Sequence, residues 1–135
     1  MINPIRILLV DDSPYFLDAA QGFLNLQESL EVTGTVTEAN NALAQALQMQ
    51  PDIILLDLNL GERSGLELIP LFKKNMPEIK IIVLTIMEGE SYRTAAFRAG
   101  ADAFVRKTDM TNTLFSVIVE LMNDATKDQD HFGKN

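Results

Sequence analysis

The sequence predicts an α/β fold, a doubly wound, five-stranded parallel sheet with helices on both faces. Two observations carry that expectation. Short aliphatic runs alternate five times with longer stretches of helical periodicity, the pattern of repeated βαβ units. One of those runs, Ile53–Leu56, is aliphatic at every position, as a strand buried on both faces must be, and such strands belong to parallel sheets. The 135 residues suit one domain with its own core. Residues 4–125 are expected to form that domain, and 126–135 (TKDQDHFGKN) to be a polar tail or the start of a linker.

The elements follow in order. Ile5–Val10 is β-branched-rich and bounded by charge, so it reads as a buried strand. Pro14 suits the first position of a helix, with Ser13 or Asp12 as its cap, and Phe16, Ala20, Phe23 and Gln27 mark its face, widened by Leu17 and Leu24. Leu30–Val36 is a second strand, weakened by Gly34. Ala39, Leu43, Ala46 and Leu47 repeat at helical spacing until Pro51 stops the helix. After the strand Ile53–Leu56, residues Gly61–Gly65 read as a loop and Leu66, Ile69, Phe72 and Met76 as a helical face. Pro70 fits there if it lies in the first turn, since an interior proline costs ~3 kcal/mol. Ile81–Leu84 is the fourth strand. Tyr92, Ala95, Ala96 and Ala99 mark a short helix closed by Gly100. Ala103–Arg106 is the fifth strand, and Leu114, Ile118, Leu121 and Ala125 mark the last helix.

Composition removes several function classes. The chain has no cysteine, which excludes a disulfide scaffold, a thiolate zinc site and a cysteine nucleophile. Eleven Lys and Arg against nineteen Asp and Glu leave a net charge of −8, which repels phosphodiester backbones, so no nucleic acid is expected to bind this chain alone. The same balance serves ordinary solubility. The first apolar run ends at Asp11-Asp12, far short of the ~20 residues of a membrane span, and it lacks the features of a signal peptide. A cytoplasmic protein with no membrane partner is expected.

In doubly wound folds ligands sit beyond the carboxyl ends of the strands. Those ends carry Asp11-Asp12 after the first strand, Asp57 after the third, Thr85 after the fourth and Lys107 after the fifth. Singly, each has an ordinary use. Asp12 caps a helix, Asp57 starts a turn, Thr85 satisfies a backbone group, and Lys107 pairs with Asp109 or faces solvent. Jointly they do not, because Asp57 follows four aliphatics with no turn residue beside it (DIILLDLNL), and a charge planted there needs a partner. Three close carboxylates repel, so one protonates or a cation binds. All-oxygen ligation suits Mg²⁺, with Mn²⁺ as a substitute. A dication beside a free ammonium and a hydroxyl suits a phosphoryl group, and Asp57, central in the sheet, is the best-placed nucleophile.

On these residues (Asp11-Asp12, Asp57 in LLDLNL, Thr85 in IIVLT and Lys107 in AFVRKTD) the sequence resembles the receiver domain of two-component response regulators. GADAFVRKTD is more similar to the NarL/FixJ-type subfamily, whose members usually add a C-terminal helix-turn-helix domain for which 135 residues leave no room. The resemblance implies a flavodoxin-like strand order of 2-1-3-4-5. It implies that Asp57 accepts a phosphoryl group from a sensor histidine kinase or phosphotransfer protein. It further implies Mg²⁺ ligation by Asp11, Asp12, Asp57 and the Asn59 carbonyl, phosphoryl contact by Lys107, and a Thr85–Phe104 switch pair. A second protomer would dock on phosphorylation, through the face of the last helices and strand. Phe104 is equally a core aromatic, and the six methionines read as core filler.

Four positions bear on these expectations. Thr108 replaces the proline most receivers carry, so no cis bond is required there. Ile86 sets bulk beside Thr85, and Asn59 and Met87 flank the water path on which acyl-phosphate lifetime depends. His131, the only histidine, reads as a solvated tail residue. The competing readings are a small Mg²⁺-dependent phosphohydrolase, against which Asn59 stands where such enzymes place a second aspartate, and a phosphorylation-independent interaction module. LLVDDSP in place of a Gly-rich turn argues against a nucleotide-binding domain.

Overall fold

A computed structural model describes residues 3–123; Ala125, the 126–135 tail and His131 lie outside the described residues. Strands β1 (Ile5–Val10), β2 (Leu30–Val36), β3 (Ile53–Leu56), β6 (Lys80–Thr85) and β7 (Ala103–Arg106) form one sheet in the order β2-β1-β3-β6-β7. Every pairing in it is parallel. Two short strands, β4 (Asn59–Leu60) and β5 (Arg63–Ser64), pair separately as an antiparallel hairpin. Counting the long strands alone, the order is the expected 2-1-3-4-5.

The strands divide their side chains between two cores. Leu8, Val10, Ile54, Leu56, Ile81 and Val83 pack with α2 (Ala39–Met49), α3 (Leu68–Asn75) and α4 (Glu90–Ala99). Ile7, Leu9, Ile53, Leu55, Ile82 and Leu84 pack on the other face with α1 (Pro14–Asn25) and α5 (115–123). Strand side chains alternate faces, so the unbroken aliphatic run of β3 feeds both layers, each buried aliphatic contributing about 1.5–3 kcal/mol.

Local chemistry sets the boundaries. Pro14 opens α1, and Ser13, not Asp12, is its cap: Ser13 Oγ accepts the Phe16 N–H at 3.2 Å. Gln50, in the left-handed region at φ 49°, ends α2 before Pro51. Pro70 falls in the first turn of α3, after a 3-10 turn over Gly65–Glu67 that Ser64 caps. Gly100 ends α4 at φ 120°. Gly34 lies beside the register shift of β2 against β1; a β-carbon there would crowd Met49 Sδ at 2.7 Å.

Four expectations need correction. Gly61–Gly65 is not wholly loop, because residues 59–60 and 63–64 pair across a turn in which Gly61 takes φ 70°. Tyr92 stands exposed on α4, whose fully buried contact is Ala96. Leu47 likewise points outward, and Ala42 takes the buried place on α2. Helix α1 stops at Asn25, short of Gln27. No peptide bond among the described residues is cis, and no helix among them is long and apolar enough to cross a membrane.

Candidate functional site

The main-chain ladder continues one residue past two central strands. The Asp11 N–H donates to the Val36 carbonyl (3.0 Å) and the Asp57 N–H to the Val10 carbonyl (2.9 Å). These bonds seat both carboxylates side by side at the carboxyl edge of the sheet, where each residue is buried (3% and 4% exposed). Asp12 is exposed beside them, and the three residues each offer an oxygen within 4.8 Å of the others. Asp12 does not cap the helix.

Lys107 reaches in from the end of β7. Its Nζ lies 2.8 Å from Asp11 Oδ2 and 3.1 Å from Asp57 Oδ2, donating a hydrogen bond to the latter. Its side chain is 12% exposed, and Asp109 pairs with Arg106 instead. Arg106 takes Asp109 at 3.0 Å and Glu88 at 3.6 Å. The Lys107 ammonium also stands over the Phe16 ring, 4.0 Å from its centre.

Charge states follow from burial and neighbours. Burial pushes the Asp11 carboxyl above its ordinary value, and the charge of Asp57 adds to the rise against the opposing contacts of Lys107 and the Ser13 N–H. For Lys107 burial alone would lower the value. The contact with Asp11 and the charge and hydrogen bond of Asp57 outweigh it and hold the ammonium above the ordinary lysine range. Asp11 Oδ1 accepts the Ser13 N–H at 2.9 Å. Asp11 Oδ2 is buried and accepts no hydrogen bond, its contact with Lys107 being an ion pair outside hydrogen-bond geometry. The oxygens of Asp11, Asp12 and Asp57, all within 4.8 Å of one another, form an all-oxygen trio that fits a hard divalent cation.

The remaining expected residues lie around this centre. The Asn59 N–H donates to Asp57 Oδ1 at 3.2 Å, which brings its backbone to the site. Thr85 is fully buried, and its hydroxyl accepts the Met87 N–H at 3.3 Å. Phe104 is half-buried on the neighbouring strand, paired in register with Val83, with the Arg93 guanidinium 6.0 Å from its ring centre. Thr85 and Phe104 lie on adjacent strands, Thr85 paired in register with Arg106. Ile86 is 67% exposed at the rim. Two contributors escaped the sequence reading. Phe16 read only as part of a buried stripe, and Gly65 only as loop. A β-carbon on Gly65 would overlap the Asp57 carbonyl oxygen and press on Leu58 Cα at 3.0 Å, so the hairpin closes against the backbone of Asp57.

Fold and site together define a doubly wound α/β protein with a lysine-bridged acidic pocket at the carboxyl edge of its sheet. Residues 7–119 match the response regulator receiver domain, and the chain belongs to that family. Among curated relatives, the transcriptional regulatory protein MctR of Rhizobium johnstonii is 29% identical over 122 residues, covering 90% of this chain and 57% of that protein. The response regulator protein VraR of Staphylococcus saprophyticus is 31% identical over 123 residues, covering 90% and 58%. The chain thus spans little more than half the length of these relatives. A CheY-like receiver domain protein from Methanospirillum hungatei superposes with a TM-score of 0.83 at 28% identity, covering 93% of this chain and 99% of that one. A LuxR-family two-component response regulator from Aurantimonas gives 0.83 at 24% identity, covering 90% and 87%, a likeness of fold.

Proposed function

We propose that Asp57 is the phosphoacceptor of a two-component switch, taking a phosphoryl group from a phosphohistidine of a sensor kinase or phosphotransfer protein. The observation that supports this most directly is the Lys107 ammonium bridging Asp11 and Asp57 in a buried pocket. An Asp57 oxygen attacks phosphorus in line. The P–O bond forms as the P–N bond breaks, and the donor imidazole leaves with the bonding pair and takes a proton. Lys107 is placed to follow the transferred oxygens, keeping one contact to Asp11 while moving the other from Asp57 to the phosphoryl group. Asp11, Asp12, Asp57 and the Asn59 carbonyl would hold Mg²⁺, or Mn²⁺, which when bound neutralises charge on the phosphoryl oxygens.

The switch would run through Thr85, whose hydroxyl leaves the Met87 N–H for the phosphoryl group, with Phe104 turning inward. The half-exposed aromatics of α4, Tyr92 and Phe97 (40% and 39%), suit a second protomer or another partner on that face. Residues 4–125 would be the working unit of a cytoplasmic protein that controls an output, transcription being the process that the transcriptional regulatory protein MctR is named for. The chain is read as a switch and not as a turnover enzyme. Asn59 leaves a phosphohydrolase without its second acid, and the intact acid–lysine set gives no support to a phosphorylation-independent module.

Intact mass after acetyl phosphate and Mg²⁺ tests this. The wild type gains one phosphoryl group, and Asp57→Ala or excess EDTA abolishes the gain. Equal labelling of wild type and Asp57→Ala, or turnover of a generic phosphomonoester, overturns the assignment.

A further inference from the structure

We infer that Phe16 is a positioning residue for phosphoryl transfer: its ring face forms the third wall of the cage that holds the Lys107 ammonium. This rests on the reading of Asp57 and Lys107 above. An ammonium has three N–H donors. At Lys107 two of its sides meet Asp11 Oδ2 and Asp57 Oδ2 at 2.8 and 3.1 Å, and the centre of the Phe16 ring lies 4.0 Å away. The lysine side chain is only 12% exposed, so the ring stands where water would otherwise solvate the charge. An aromatic face attracts a cation through its quadrupole, most strongly where both are partly desolvated.

The chain builds this wall with the same turn that orients the acid pocket. Asp11 Oδ1 accepts the Ser13 N–H and Ser13 Oγ accepts the Phe16 N–H, while Pro14 opens the helix. The ring is therefore indexed to Asp11 through two consecutive local hydrogen bonds. The wall also differs in kind from the other two. Asp57 holds the ammonium by a directed hydrogen bond that must be given up when a phosphoryl oxygen arrives, while Asp11 keeps its ion pair. A ring face holds the charge without a directed acceptor, and its share of the ammonium's stabilisation grows as Nζ gives up the Asp57 bond and moves towards the phosphoryl group, so the contact favours the transfer over the resting pocket. An aliphatic side chain of similar size would exclude water but supply no such attraction.

The test separates quadrupole from bulk. Phe16 is replaced by mono-, di- and trifluorophenylalanine, which weaken the ring's negative face with little change of shape, and by Leu. The readout is the initial rate of Asp57 phosphorylation by acetyl phosphate with Mg²⁺. The rate should fall stepwise with fluorination, to about a tenth for the trifluoro ring, and Phe16→Leu should fall at least as far while Phe16→Tyr retains the wild-type rate. In Lys107→Met the fluorine series should be flat. A second readout needs no metal or phosphodonor: the Lys107 ε-methylene protons should be shifted upfield in the NMR spectrum of wild type and Phe16→Tyr, and return to the ordinary lysine position in Phe16→Leu. A flat series in the wild-type background, or the same stepwise fall in Lys107→Met, overturns the role of Phe16 while leaving the Asp57 assignment intact. A wild type that takes no phosphoryl group at all overturns both.

Discussion

At the level of single residues, Lys107 is the group on which the pocket balances. Removing it would leave Asp11 and Asp57 buried against each other with no internal counter-charge, and breaking a buried pair by deleting one partner costs more than the pair itself is worth. The lysine's raised value also has a direct consequence for stability. Its folded-state value lies above the ordinary 10.5, so the folded chain keeps this proton when the unfolded chain has lost it. The stabilisation is complete below pH 10.5 and is lost as pH rises through the folded value. In metal-free buffer, urea midpoints of the wild type should fall through that alkaline window, and Lys107→Met should lack this component of the fall. A Met variant that loses stability across the window as steeply as wild type would contradict the pairing. Some of this chemistry was legible in sequence. Asp57 stood out because a charge planted at the end of a buried aliphatic strand, with no turn residue beside it, needs a partner. Phe16 did not, since its contact with Lys107 joins the first turn of one helix to the end of a strand 91 residues away and leaves no periodic mark.

At the level of elements, the hairpin of β4 and β5 matters more to the site than its length suggests. It brings Gly65 so close to the Asp57 carbonyl that no β-carbon fits, and the Gly65 N–H donates to the Leu58 carbonyl at 2.7 Å. The atoms in the way are backbone, so relief requires the chain at Asp57 and Leu58 itself to move. Gly65→Ala should cost roughly 1–3 kcal/mol by overpacking and slow phosphorylation at Asp57; Gly34→Ala, which crowds the flexible end of Met49 and otherwise meets Leu8 Cδ1 at an ordinary 3.7 Å, should leave the rate unchanged. Chemical denaturation and phosphorylation kinetics on the same samples check both. Pairs two residues long lie below any periodicity signal, which is why this hairpin read as loop. Helix boundaries were legible where capping chemistry was strong, as at Ser13-Pro14 and Gly100. Face assignments failed at Tyr92 and Leu47, where the short helices α2 and α4 fully bury only alanines and Leu47, Tyr92 and Phe97 are left outside.

At the level of the whole molecule, the fold acts as a collector. Four separate strand ends deliver Asp11, Asp12, Asp57, Thr85 and Lys107 to one edge, and two aliphatic cores hold those strands in register from either side. The parallel alternation is written into every segment of the sequence, so the architecture was legible almost in full. The excess acidity also has a local meaning, since three of the nineteen acids make one pocket whose counter-charge is a single lysine. The central claim is that a covalent acyl phosphate forms at Asp57. Borohydride reduction after incubation with acetyl phosphate and Mg²⁺ converts a phosphorylated aspartate to homoserine, and peptide mass spectrometry then locates it. Homoserine is expected at position 57, absent when Mg²⁺ is chelated. Homoserine at Asp11 or Asp12 instead, or a phosphorylated chain that yields none at position 57, would contradict the central claim.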